Sequence, residues 1–172
     1  MSSNLLRTAN LLATVSGAVQ VRIDDQLKQH PNQTSSSLAA LNVIGMSDGC
    51  TNAALSQTIG LSHTATVRLV DKLEAQGLVV GRQLLDRRSV ELTLTAEGKV
   101  YARTLLAQRC LATGTIVELL GSDEQHELTR LLEKILQRLA GQPSSRGHLC
   151  RLCDEMACPP QDCPVHHAHS HA

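Results

Sequence analysis

The sequence predicts a mainly α fold with one small β-hairpin. Leu, Val, Ile and Ala must build the core, because Tyr101 is the sole Phe, Tyr or Trp side chain in a chain that is 42% hydrophobic. Leu and Ala favour packing between helices. Apolar residues recur at steps of three and four along most of the 172 residues. One stretch breaks that spacing, with short apolar runs on either side of an Arg-bearing turn. The shortage of aromatics argues against a base-stacking single-strand binder. Lys and Arg (16) balance Asp and Glu (16), which rules out a globally basic coat but not a local basic patch.

The elements follow in order. Leu5, Ala9, Leu12, Val19, Ile23 and Leu27 line one face of a long first helix, which His30-Pro31 ends. Leu11 to Val15 after Arg7 faintly resembles a signal peptide. The helical spacing continues past Gln20, so the segment reads as part of a mature helix in a cytoplasmic protein, and the sequon at Asn32 as a chance match. No apolar run reaches the length of a membrane span. A second helix covers about Ser37 to Ile44, with Leu38, Leu41 and Ile44 inward and a turn over Gly45 to Gly49. Thr51 caps a short helix carrying Leu55 and Ile59, which Gly60 breaks. Ser62 caps the next helix, with Leu69, Val70 and Leu73 inward, and Gly77 supplies its stop.

Leu78 to Gln83 and Ser89 to Leu94 read as the hairpin, with Leu84 to Arg88 as its turn. Thr95 caps a long helix that Gly121 ends, and Tyr101 is expected to pack near the base of the hairpin. Ser122 to Gln125 reads as a capping box ahead of Leu128, Leu131, Leu132, Ile135 and Leu139. Gly141 and Pro143 close that last helix.

Two short helices around a Gly turn, followed by a hairpin, make a winged helix-turn-helix. Its second helix would enter the major groove of double-stranded DNA by its N-terminal residues. With Leu69, Val70 and Leu73 inward, His63, Thr64, Val67, Arg68 and Asp71 share the opposite face. His63, Thr64 and Arg68 have donors for base edges or phosphates, Val67 suits thymine methyls, and Ser62 at the helix start suits a phosphate. Arg87 and Arg88 at the hairpin tip suit a minor groove.

The run Leu61 to Val79 resembles the recognition helix and first wing strand of MarR-family transcriptional regulators. Asp86-Arg87-Arg88-Ser89, followed by Leu92-Thr93-Leu94-Thr95 and Gly98, resembles that family's wing motif. The similarity covers about Ser36 to Ala140. It implies a homodimer that reads a pseudo-palindromic operator, usually as a repressor, and that responds to a small-molecule effector or an oxidant. It puts Thr64, Val67 and Arg68 on base-reading positions, Arg88 on the wing arginine and Asp86 on the acid that braces it. His63 departs from the Arg often found there. Independently, the first and the last two helices carry more apolar surface than a lobe of this size can cover, which also points to a dimer. The organisation expected is a dimerisation helix over 1–30, the winged lobe over 36–95, dimerisation helices over 96–141 and a Cys/His-rich tail over 142–172.

Cys150, Cys153, Cys158 and Cys163 crowd that tail with the spacing of a zinc knuckle, Cys158 standing in the His place. Four thiolates suit tetrahedral zinc. An iron–sulfur cluster would use the same ligands, reversible disulfides would make an oxidant sensor, and reduced thiols with no cofactor are the plain alternative. Arg151 would offset excess negative charge. His166, His167, His169 and His171 form a weak metal-binding tract, either spare ligands or simply a soluble end, and His148 fits either role. Cys50 and Cys110 read as small packing residues. The competing reading is a metal-binding or thiol-redox protein that uses the winged helix for protein docking. No paired acid–base group and no phosphate-binding loop supports an enzyme.

Overall fold

A computed structural model describes residues 2–30, 33–47, 49–83, 90–141 and 146–167. Helix α1 (Ser3–Leu27) buries only Ile23 and Leu27 near its end, while Leu5, Leu6, Leu11, Leu12 and Val15 along its first half are exposed. It lies along α5 (Ala96–Val117). The Arg22 guanidinium donates to Thr115 Oγ1 at 3.2 Å across that seam. Tyr101 meets the ring of His30 edge-on at 5.8 Å between centroids, so it closes the α1–α5 seam rather than supporting the hairpin.

Helix α2 (Ser35–Met46) is buried nearly all round from Ser37 to Ile44, not along one face. It sits at the centre of the lobe, against α3 (Asn52–Ile59), α4 (His63–Ala75) and α5. A helix enclosed on all sides has no polar face to display. The expected turn at Gly45 is likewise still helical. Leu38, Leu41, Ile44, Leu55, Leu73, Leu92 and Leu105 form the fully buried centre.

Strands β2 (Val79–Gln83) and β3 (Val90–Leu94) pair antiparallel from Val79 opposite Leu94 to Gln83 opposite Val90. A two-residue strand, β1 (Cys50–Thr51), adds to the other edge of β3 and gives the order β1-β3-β2. It ties the start of the helix-turn-helix to the hairpin. Cys50 is buried there, and burial raises its thiol pKa.

Four side chains cap the helices of this unit. Thr34, Thr51, Ser62 and Thr95 each accept the backbone N–H three residues on, at Ser37, Ala54, Ala65 and Gly98. Each such cap stabilises by about 1 kcal/mol. The start of α5 presses onto the hairpin so closely that a Cβ at Gly98 would sit 1.9 Å from the Leu78 carbonyl oxygen. Backbone cannot yield as a side-chain tip does. Gly98→Ala is therefore expected to destabilise the lobe by about 1–3 kcal/mol, read as a lower thermal midpoint.

Helix α6 (Ser122–Ala140) begins differently from expectation. Gly121 holds the cap position in extended conformation, and its N–H donates to the Glu124 carboxylate at 2.9 Å. Gln125 instead donates to the Leu120 carbonyl at 2.9 Å, closing the end of the preceding helix. Within the chain the main partner of α6 is the short helix α8 (Pro164–His167). No helix among the described residues is long and apolar enough to cross a membrane.

Candidate nucleic-acid interface

Helix α3, a tight turn and α4 form the motif. Gly60 turns the chain at φ 72°, a left-handed value that suits glycine, and Leu61 N–H bonds back to Ser56 O at 3.2 Å. One side of α4 is fixed by Thr66, Val70 and Leu73, all buried. Thr66 replaces the expected Leu69 as the fully buried member; its hydroxyl donates to the Ser62 carbonyl at 3.0 Å, so a polar side chain sits inside with its hydrogen bond made. Leu69 is only partly buried at the edge of the core.

This anchoring leaves Ser62, His63, Thr64 and Arg68 exposed and Val67 half-buried beside them. The first backbone N–H groups of α4 lie at the same end, where a helix attracts anions. Ser62 Oγ accepts the Ala65 N–H at 3.2 Å, so its acceptor is engaged in the cap while its O–H can still donate. The five expected residues of this helix thus share one edge. Asp86, Arg87 and Arg88, expected at the hairpin tip, lie outside the described residues.

The tail folds back onto this lobe. Helix α7 (Arg146–Cys150) lies against the end of α3. Its His148 Nδ1 is 3.3 Å from the Thr58 carbonyl, and a Cβ on Gly60 would approach the His148 ring to 3.1 Å. The Arg151 guanidinium donates to the His148 carbonyl. From α2, Asn42 donates both amide hydrogens, to the carbonyls of Arg151 at 3.2 Å and Cys153 at 2.9 Å. From α5, the Cys110 thiol lies 3.9 Å from the Asp154 carboxylate. Burial, then Asp154, raises the pKa of Cys110. The chain next passes through a 3₁₀ turn, Pro160–Asp162, and buries Cys163 and Val165 against Ala140 of α6.

The Cys158 thiol is in hydrogen-bonding range of both Cys153 and Cys163. Burial and these neighbours push its pKa up to about 11. Burial, then the neighbouring thiols of Cys150 and Cys163, raises that of Cys153. No cysteine pair is joined by a disulfide. Among the described residues, no three His, Cys, Asp or Glu side chains are drawn together closely enough, as they stand, to hold a metal ion.

The MarR family model matches residues 34–89, from the cap of α2 past β2 to just before β3. The transcriptional repressor MprA of Escherichia coli K12 is 31% identical over 86 residues, which is 49% of this chain and 49% of that protein. Over residues 34–89 the chain is similar to the MarR family. Its match spans about half the length of the curated relatives. Two solved MarR-family structures extend the likeness. One, from Mycobacterium tuberculosis in complex with DNA, is 26% identical with a TM-score of 0.65, covering 74% of this chain and 95% of that one. The other, from Bacillus stearothermophilus, has a TM-score of 0.71 at 22% identity, covering 80% and 97%, a likeness of fold. MarR-family proteins are transcription regulators rather than enzymes.

The four tail cysteines lie beyond the matched MarR segment. Two residues that hold the tail were missed by sequence reasoning. Asn42 sits in an apolar helix, and a buried Asn there was the available signal. Arg109 has a buried Nε with no hydrogen-bond partner in the structure and lies close enough to Cys153 to favour its thiolate. Asn42→Ala is expected to loosen residues 146–167 by about 1–3 kcal/mol, since it removes two part-buried hydrogen bonds to tail carbonyls. Limited proteolysis would show faster cleavage within the tail and an unchanged rate within the winged lobe.

Proposed function

We propose that this protein is a homodimeric, sequence-specific DNA-binding regulator, acting as a repressor on a pseudo-palindromic operator. The observation that carries the reading is the α4 edge: Ser62, His63, Thr64 and Arg68 exposed together at a helix N-terminus, with Thr66, Val70 and Leu73 anchoring the other side. That is the presentation a recognition helix needs. Arg87 and Arg88 would add a minor-groove or backbone contact from the wing, with Asp86 bracing it. The relative solved with DNA and the relative described as a repressor support the same reading.

Dimerisation is supported by apolar surface left open on three helices. Leu5, Leu12 and Val15 of α1 and Leu131, Leu132 and Ile135 of α6 are each about 42–54% exposed, and Leu111 of α5 is 65% exposed. A surface this apolar is what an obligate subunit contact covers, and two copies related by a twofold axis would present two α4 helices to two half-sites. A small effector would act at the cavity of about 350 Å³ between α2, α5 and the tail, lined by Leu41, Met46, Leu94, Lys99, Arg103 and Leu106 among others. A ligand there would set the angle between the winged lobe and the dimer helices.

The test is fluorescence anisotropy with the duplex upstream of the protein's own gene and a scrambled duplex, across a salt series. Tighter binding to the native duplex, falling linearly in log K against log salt, is expected from counterion release. Equal affinity for both duplexes would overturn sequence-specific regulation.

A further inference from the structure

We propose that Cys150, Cys153, Cys158 and Cys163 bind one zinc ion, and that the metal-ordered tail clamps the turn between α3 and α4. Four observations carry this. First, the Cys153 N–H bonds back to the Cys150 carbonyl at 2.9 Å, a tight turn that brings the first two cysteines together. Cys150 and Cys158 then pack against the cluster that buries Cys163 at the far end of the tail, and Cys158 also neighbours Cys153. Second, the tail's own core is too small to order it. The cluster holding it to α6 buries Ala140, Cys163 and Val165, with Leu136, Leu149, Cys150 and Cys158 partly buried against them, so three of its seven members are cysteines. A stretch this poor in apolar contacts gains its order from elsewhere, and a structural zinc site contributes on that scale.

Third, the surroundings suit a metal–tetrathiolate. Zinc bound by four cysteines displaces four protons and leaves a centre of net charge −2, with no change of oxidation state. Arg109 is the cation beside Cys153, and its buried Nε has no hydrogen-bond partner in the structure. A thiolate sulfur bound to zinc is an acceptor of the right charge for it. Fourth, the residues leading into the first ligand are those that touch the helix-turn-helix. Gly147 lies against Thr58, and His148 lies against both Thr58 and Gly60. Among the described residues the thiols do not yet stand as one group of metal ligands, so binding has to draw the side chains inward. The clamp would hold Gly60, and with it the approach angle of α4. That second half rests on the DNA-binding reading of α4; the metal site does not.

The experiment uses the full chain, purified anaerobically, treated with zinc chloride and desalted. Elemental analysis is expected to give one zinc per chain, lost in Cys158→Ser and in Cys150→Ser and retained in Cys50→Ser. Hydrogen exchange on the same samples is expected to show residues 52–61 and 146–153 losing protection when a chelator removes the metal. Far-UV circular dichroism confirms that each variant is folded, and the chelated wild-type chain repeats the comparison without any substitution. Absence of retained zinc, iron with sulfide in its place, or zinc undiminished in both tail variants overturns the site. Retained zinc with unchanged exchange over 52–61 overturns the clamp. A protein that binds zinc as described yet ignores duplex DNA in both states counts against the α4 reading alone.

Discussion

Arg68→Ala is expected to weaken binding to the operator duplex by about 10- to 100-fold at fixed salt, the equivalent of about 1–3 kcal/mol for a lost base contact. Arg68 stands exposed on the free edge of α4, one turn beyond Thr64, and the helix below it is held by Val70 and Leu73. Removing an exposed side chain leaves that anchoring intact, so the thermal midpoint should hardly move. The loss should fall mainly on the operator and little on a scrambled duplex. A uniform loss on both, with the salt slope reduced by about one, would assign Arg68 to a phosphate instead. Thr64→Ala and Val67→Ala are expected to change which base is preferred more than how tightly the duplex is held.

The second large effect is expected from α6. Leu132→Glu with Ile135→Glu should convert the proposed dimer to a monomer, with the mass by light scattering falling to the single-chain 18.5 kDa. Both side chains are half-exposed within one chain, at 44% and 45%, and the main partner of α6 there is α8, near its far end. The fold of a single chain therefore loses little when they become charged, and the far-UV spectrum should keep its helical shape. Burying two carboxylates in each half of a twofold contact is what the dimer cannot accommodate. Operator affinity should fall by about 100-fold or more, because the second half-site is no longer tethered to the first.

The exposed edge of α4 was legible in the sequence because its signals are local. Ser62 caps, Gly60 turns the chain, and three apolar-facing positions leave the others outside. The swap of Leu69 for Thr66 on the inner side was not legible, since a buried threonine looks polar until its bond to the Ser62 carbonyl is seen. Helix α2 gave up its boundaries but not its role; burial on every side erases the stripe that marks an amphipathic helix. Strand β1 is two residues long, too short for any alternation to register. The cysteine spacing was plain, yet its docking was not. Asn42 reaches backbone carbonyls of the tail, and a carbonyl carries no mark in the sequence. The apolar excess of α1 and α6 was readable as an unmet surface, and both helices remain open along much of their length in the single chain.

Selection of duplexes from a random-sequence library by the full-length protein tests the interface most directly. Enrichment of an inverted repeat whose half-sites lie about one helical turn apart is the predicted result, lost when Thr64 and Arg68 are both changed to Ala. Recovery of sequences with no shared motif, or of the same motif by that double variant, would contradict the role assigned to the α4 edge.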